Sequence, residues 1–220
     1  MKVFAKIKAI KLRRNGASYS EIRKKVSVSK STLSFWLRDV KLNDSAKHRI
    51  LKGLDFSRSV AAKSKKDLRI AVTKEIMFNA RLEFKKLIGI PLFLVGLSLY
   101  LAEGDKSILE RVKFANSDPK LVQLMMRWFR DVCNIPENKI RIALHIHDLQ
   151  SNKQAREFWS FLTKIPVTQF QAVYVKKSRL RSRRNVLYNG TCSIVIHSRS
   201  LFRRIMGWRV ALLDYFLIAK

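Results

Sequence analysis

Glu103 ends the stretch Pro91-Leu-Phe-Leu-Val-Gly-Leu-Ser-Leu-Tyr-Leu-Ala-Glu-Gly104, which is apolar almost all round until that one carboxylate arrives. A carboxylate is a natural ligand for a hard cation such as magnesium, and a held cation activates water and neutralises the charge that develops when a phosphodiester is hydrolysed. Asp105, two residues on, is either an auxiliary ligand or a turn residue. His145 and His147 lie two apart on one strand, hence on one face, and His197 ends another. Imidazoles can bind metal or act as bases near neutral pH, but no third ligand follows at a recognisable spacing. The other chemistry is cationic. Lys176, Lys177, Arg179, Arg181, Arg183 and Arg184 put six basic residues into nine positions, too much charge to bury and well suited to phosphates. No Gly-rich phosphate loop, Ser-His-Asp order or Cys-His zinc pattern appears.

Composition extends the cationic theme. With 46 Lys plus Arg against 16 Asp plus Glu, the formal net charge is +30 on 220 residues, which calls for a polyanionic partner. Charge alone does not separate DNA from RNA. A membrane surface would attract the same charge, but no stretch reads as a signal peptide or a spanning helix, and the expectation is no membrane association. Hydrophobic residues at 47% suffice for a packed core of one ordinary domain with a small one beside it. Cys133 and Cys192 are too few for a disulfide framework or a zinc site, which fits a reducing cytoplasm.

The elements that must position these residues follow from pattern. Pro91 suits a first helical turn and Gly104 a helix end, so Pro91–Gly104 reads as one helix about 20 Å long with its acid at the tip. Ser98 and Ala102, four apart, give one face small side chains that let a second helix approach. Near the N-terminus, a basic amphipathic helix from Lys2 closes at Asn15-Gly16. Ser18 and Glu21 form a capping box for a helix through Ile22 to Val26, and Ser29 caps a third helix, Lys30 to Asp39. The order suits a helix-turn-helix, in which Leu33, Trp36 and Leu37 face the helices behind and Lys30, Ser31, Ser34 and Arg38 face outward. Residues 43–86 read as one or two basic linking helices, with Gly53 as a break.

From Pro91 onward the order is α, β, α, β, α, β, β, α. The strands are Arg111–Ala115, Lys139–His147, Thr168–Val175 and Thr191–Ile196, and the basic run 176–184 falls at the tip of a hairpin joining the last two. In the helix after Pro119, Leu121, Leu124, Met125, Trp128 and Phe129 are expected to point inward. The fold class is α+β: an N-terminal all-α helix-turn-helix domain (1–42), a basic helical linker (43–86) and a C-terminal domain (87–220) with an antiparallel sheet and helices on one face.

Two resemblances refine this. Ala5 to Leu42 is similar to the helix-turn-helix of resolvases and many bacterial regulators, whose third helix enters the major groove. The helix ending at Gly104 resembles the signature helix of the LAGLIDADG homing endonuclease family in its single-motif form. Ser98 takes the small third position of the nine-residue motif, Ala102 the small seventh and Glu103 the acidic eighth, while Leu101 stands where the family often has an aspartate. The second resemblance covers Leu87 to Gly207. It implies two such helices packed at an interface, with their acids holding Mg2+ against double-stranded DNA. The chain would then act as a homodimer with Glu103 at the twofold, cleaving a specific DNA site as a hydrolase in the cytoplasm, held at the nucleoid through DNA. Lys113 and Lys176 are candidates to polarise water or phosphate. A DNA-binding regulator that keeps the fold without cleavage is the rival reading, and an RNA-maturation protein a third.

Overall fold

The computed structural model describes residues 2–107, 110–148, 150–171, 173–177 and 189–217. The chain divides into two compact units, Met1–Ile70 and Ala71–Lys220.

The first unit is helical. Helices α1 (Lys2–Arg14), α2 (Tyr19–Lys25) and α3 (Lys30–Leu37) precede the long α4 (Asp44–Leu87). Their boundaries are written in local hydrogen bonds. Ser18 Oγ accepts from the Glu21 amide at 3.2 Å while the Glu21 carboxylate accepts from the Ser18 amide at 2.7 Å, a reciprocal cap. Ser29 Oγ accepts from the Thr32 amide at 3.1 Å and starts α3. Ala9, Ala17, Ile22, Val26, Leu33 and Leu37 make a small core under these caps. Gly16, at φ +79°, turns the chain where a Cβ would come within 3.0 Å of the Ala46 backbone.

The expected break at Gly53 does not occur. Residues 44–87 form one helix of 44 residues, and the Ser57 hydroxyl donates to the Gly53 carbonyl at 2.9 Å inside it. An interior glycine costs about 1 kcal/mol relative to alanine, and a long proline-free run absorbs that without breaking.

The second unit holds the end of α4, then α5 (Pro91–Glu103), β1 (Val112–Asn116), α6 (Pro119–Arg127), β2 (Ile140–His147), α7 (Asn152–Thr163), β3 (Tyr174–Lys176), β4 (Thr191–Ile196) and α8 (Arg199–Leu217). The sheet order is β1-β4-β2-β3. β4 runs antiparallel to β1 and β2, but β3 runs parallel to β2. The sheet is therefore mixed, not antiparallel, because α7 carries the chain back across the sheet as a parallel crossover requires. β2 also separates β3 from β4, so these two strands do not pair as a hairpin, and residues 178–184 of the basic run lie outside the described residues. The expected strand Thr168–Val175 shrinks to its last residues. Val167–Gln169 is a 3-10 turn after Pro166, held by Gln169 Nε2 donating to the Glu137 and Ile140 carbonyls at 2.8 Å, and Phe170 makes only an isolated bridge to Ile142.

One sheet face is apolar. Val112, Phe114, Ile140, Ile142, Leu144, Ile146, Cys192, Ile194 and Ile196 pack against Phe93, Leu97, Tyr100, Trp128, Trp159 and Trp208 from the helices. Burial in α6 differs in detail from expectation: Val122, Met125 and Met126 are buried, while Leu121 and Leu124 are half-buried. A π-helical turn, Trp128–Val132, follows α6 and shifts the inward face, burying Trp128 and Phe129. Trp128 lies so close to α5 that a Cβ at Gly96 would stand 2.1 Å from its indole, so only glycine fits there.

Candidate functional site

The inner side of α5 buries Phe93, Gly96, Leu97 and Tyr100. Its outer side carries Val95, Ser98 and Ala102, all exposed, and Glu103 follows them at the tip. The helix end is tied to β1: Gly104 bridges Phe114 and the Asp105 amide donates to the Lys113 carbonyl at 2.8 Å. Lys106 Nζ donates to the Leu101 carbonyl at 2.7 Å, satisfying part of the helix C-terminus.

The two acids here differ sharply. Glu103 is exposed and makes no hydrogen bond or ion pair with any described residue. Asp105 is engaged on both oxygens, with Oδ1 accepting from the Ser107 amide at 2.8 Å and Oδ2 lying 3.5 Å from Arg111 Nε. Partial burial pushes the Asp105 carboxyl up, but the Ser107 hydrogen bonds and the Arg111 guanidinium outweigh it and hold it below the usual range. Asp105 is thus held within the turn, while the Glu103 carboxylate has no partner among the described residues. Magnesium requires several oxygen donors, and one copy of the tip supplies one free carboxylate. Among the described residues, no three His, Cys, Asp or Glu side chains lie close enough together to hold a metal ion.

The opposite face of the sheet is mixed in character and only partly exposed, with Val195, Ser193 and Ala143 buried at its centre and Tyr174 and Lys176 exposed at its edge. Strand register sets it out in rows: Lys113, Val195 and Arg141; then Ala115, Ser193 and Ala143; then Thr191, His145 and Tyr174; and last His147 with Lys176. Small residues form the middle row, and Ser193 Oγ there is buried without a hydrogen-bond partner among the described residues. Arg141 donates to the Asn138 and Ile140 carbonyls at 2.6 and 2.9 Å. His145 stacks on Tyr174, its pKa lowered by burial and by the charges of Lys113 and Lys176. His147 Nδ1 is buried with no partner among the described residues, and His197 lies 3.2 Å from the Gln171 amide nitrogen. The three histidines are not gathered into one site.

In the first unit, Lys30, Ser31, Ser34 and Arg38 are all exposed on α3, whereas Leu33 and Leu37 are buried and Trp36 half-buried behind them. Ser31 Oγ lies 2.8 Å from the capping Ser29 hydroxyl, and the Arg38 guanidinium rests over the exposed Phe35 ring at 5.7 Å. A polar groove lined by Ser20, Arg23, Lys24, Ser27 and Ser29 adjoins the start of α3. Lys176 ends β3 and Lys177 follows it, both exposed. Arg179, Arg181, Arg183 and Arg184 lie outside the described residues.

Arg141 and Tyr174 were missed by sequence reading. Alternation along β2 could have given Arg141 the same face as His145 and His147. Tyr174 depends on a parallel register that nothing local encodes.

No protein-family model matches the chain, nor does any curated protein or solved structure at a significant level. The architecture is a mixed α+β arrangement with a four-stranded mixed sheet. Among the described residues, no helix is long and apolar enough to cross a membrane.

Proposed function

We propose that the chain binds double-stranded DNA at specific sites and cleaves it as a homodimer, with magnesium held at Glu103. The observation that carries this reading is the free carboxylate of Glu103 at the end of an exposed small-residue face on α5. Pairing two copies along Val95, Ser98 and Ala102 gives two such acids side by side at a twofold axis. The bound metal would supply an activated water and charge neutralisation. The residues of this chain would orient the phosphate, with Lys113 and Lys176 as the candidate cations.

DNA recognition falls to two surfaces. One is α3, read as the recognition helix of a helix-turn-helix, with Lys30, Ser31, Ser34 and Arg38 outward. The other lies at the edges of the sheet face opposite the apolar core, where Lys176 is exposed and Lys113 half-buried. The net charge supports both. A regulator that keeps the LAGLIDADG-like fold without cleavage is the second reading. Its specific support is Asp105, which is consumed by Ser107 and Arg111 and leaves one free acid per copy.

Selection from a randomised duplex library without magnesium tests the binding half. Recovery of one recurrent, roughly palindromic sequence bound by two copies is the expected result. Retention without any recurrent sequence would contradict specific recognition.

A further inference from the structure

His145 of β2 and Tyr174 of β3 stack at the edge of the sheet face opposite the apolar core, with ring centroids 4.9 Å apart and planes 14° from parallel. Tyr174 belongs to the edge strand, rests its ring on His145 and remains 55% exposed. Neither ring joins the apolar core. Lys176 follows two residues along the same strand, Lys177 comes next and is exposed, and Lys113 is near enough for its charge to act on His145. The acid at this end of the sheet, Asp148, is exposed, and its amide donates to the Lys176 carbonyl at 3.2 Å.

An exposed aromatic ring among cations has a particular use. Bases inside a duplex already stack on both sides and offer a protein only their edges, so intact B-form DNA leaves such a ring without a partner. An unpaired base offers its whole π-face, and stacking on an aromatic side chain is tolerant of base identity. We propose that the Tyr174–His145 stack is a platform for one unpaired nucleobase, in a strand whose phosphates are held by Lys113, Lys176 and Lys177. The proposal rests on the nucleic-acid reading of this sheet face and adds to it a preference for a locally opened strand. Burial and the two lysines keep His145 neutral near pH 7, so the stack presents no imidazolium beneath the tyrosine.

Fluorescence anisotropy on four labelled probes tests it: a fully paired DNA duplex, the same duplex with a single-adenine bulge, and the single strand as DNA and as RNA. The bulged duplex should bind about 10-fold tighter than the paired one, the scale of one base–aromatic stack. Tyr174→Ala should erase that preference while paired-duplex affinity stays unchanged, and Tyr174→Phe should keep it. A 2-aminopurine at the bulge should lose fluorescence on binding wild type and not on binding Tyr174→Ala. The strand type that shows the Tyr174-dependent gain identifies DNA or RNA as the source of the base. Equal affinity for paired and bulged duplex, or a preference that survives in Tyr174→Ala, overturns the platform and leaves duplex binding standing. Failure to bind any probe overturns the nucleic-acid reading, and the platform with it.

Discussion

The two units hold themselves together differently, and the difference decides how each could present a functional surface. The first unit fully buries only small or medium apolar residues, such as Ala9, Ile22, Leu33 and Leu37, with Tyr19 and Trp36 half-buried beside them, and it relies on side-chain caps at Ser18 and Ser29. The second is built around large aromatics, with Trp128, Trp159 and Trp208 fully buried and Phe93 packed edge-on to Trp208 at 5.2 Å. A unit with so little apolar burial depends on local hydrogen bonds to fix the exposed residues of α3. A unit with an aromatic core can leave a sheet edge and one side of α5 uncovered.

The largest expected effects probe the aromatic core. Trp208→Ala should cost about 3–5 kcal/mol in urea unfolding, since it opens a cavity and removes the indole N–H that donates to Glu83 at 3.0 Å. Gly96→Ala should cost about 1–3 kcal/mol, because its new methyl meets the Trp128 ring. If Gly96→Ala were neutral, α5 would not be seated as tightly as described. Ser29→Ala should cost only about 1 kcal/mol, yet it should reduce DNA affinity more than either core change, because it loosens α3 directly. A cap mutant that lowered stability without touching affinity would break the link between capping and the α3 surface.

Smaller effects distinguish the surfaces themselves. Lys30→Ala should lower the slope of log affinity against log salt by about 0.9 if that side chain contacts a phosphate. In thermal melts, two pH windows should appear. Glu21, Asp105 and Glu137 have carboxyls held below their ordinary range, so their stabilisation is present near neutrality and fades as pH falls below about 4.5. His145 has a depressed pKa, so the fold opposes its protonation and stability should fall as pH drops below about 6.5. His145→Gln should flatten that second slope alone.

The same contrast explains what could be read from the sequence. Capping pairs, Asp118 before Pro119 in α6 and the proline-to-glycine span of α5 are signals confined to a few neighbouring residues, and they give element positions directly. Sheet pairing is different. β3 has three residues, its neighbour is set by a crossover through α7, and a polar turn held by Gln169 occupies positions that alternate as a strand would. Assuming that consecutive strands pair made β3 and β4 into a hairpin they do not form. The acid at the tip of α5 was legible as a residue. That Asp105 beside it is spent on Ser107 and Arg111 depended on a loop conformation that residue type does not specify. The Tyr174–His145 stack was hidden for the same reason as β3.

Glu103 is where the proposed chemistry stands or falls. Incubating a randomised duplex library with magnesium, wild type beside Glu103→Gln, tests it most directly. The account predicts cuts at one recurrent site by wild type and intact DNA with retained binding in the mutant. Selective binding without any cuts by wild type, or equal cutting by both proteins, would contradict it.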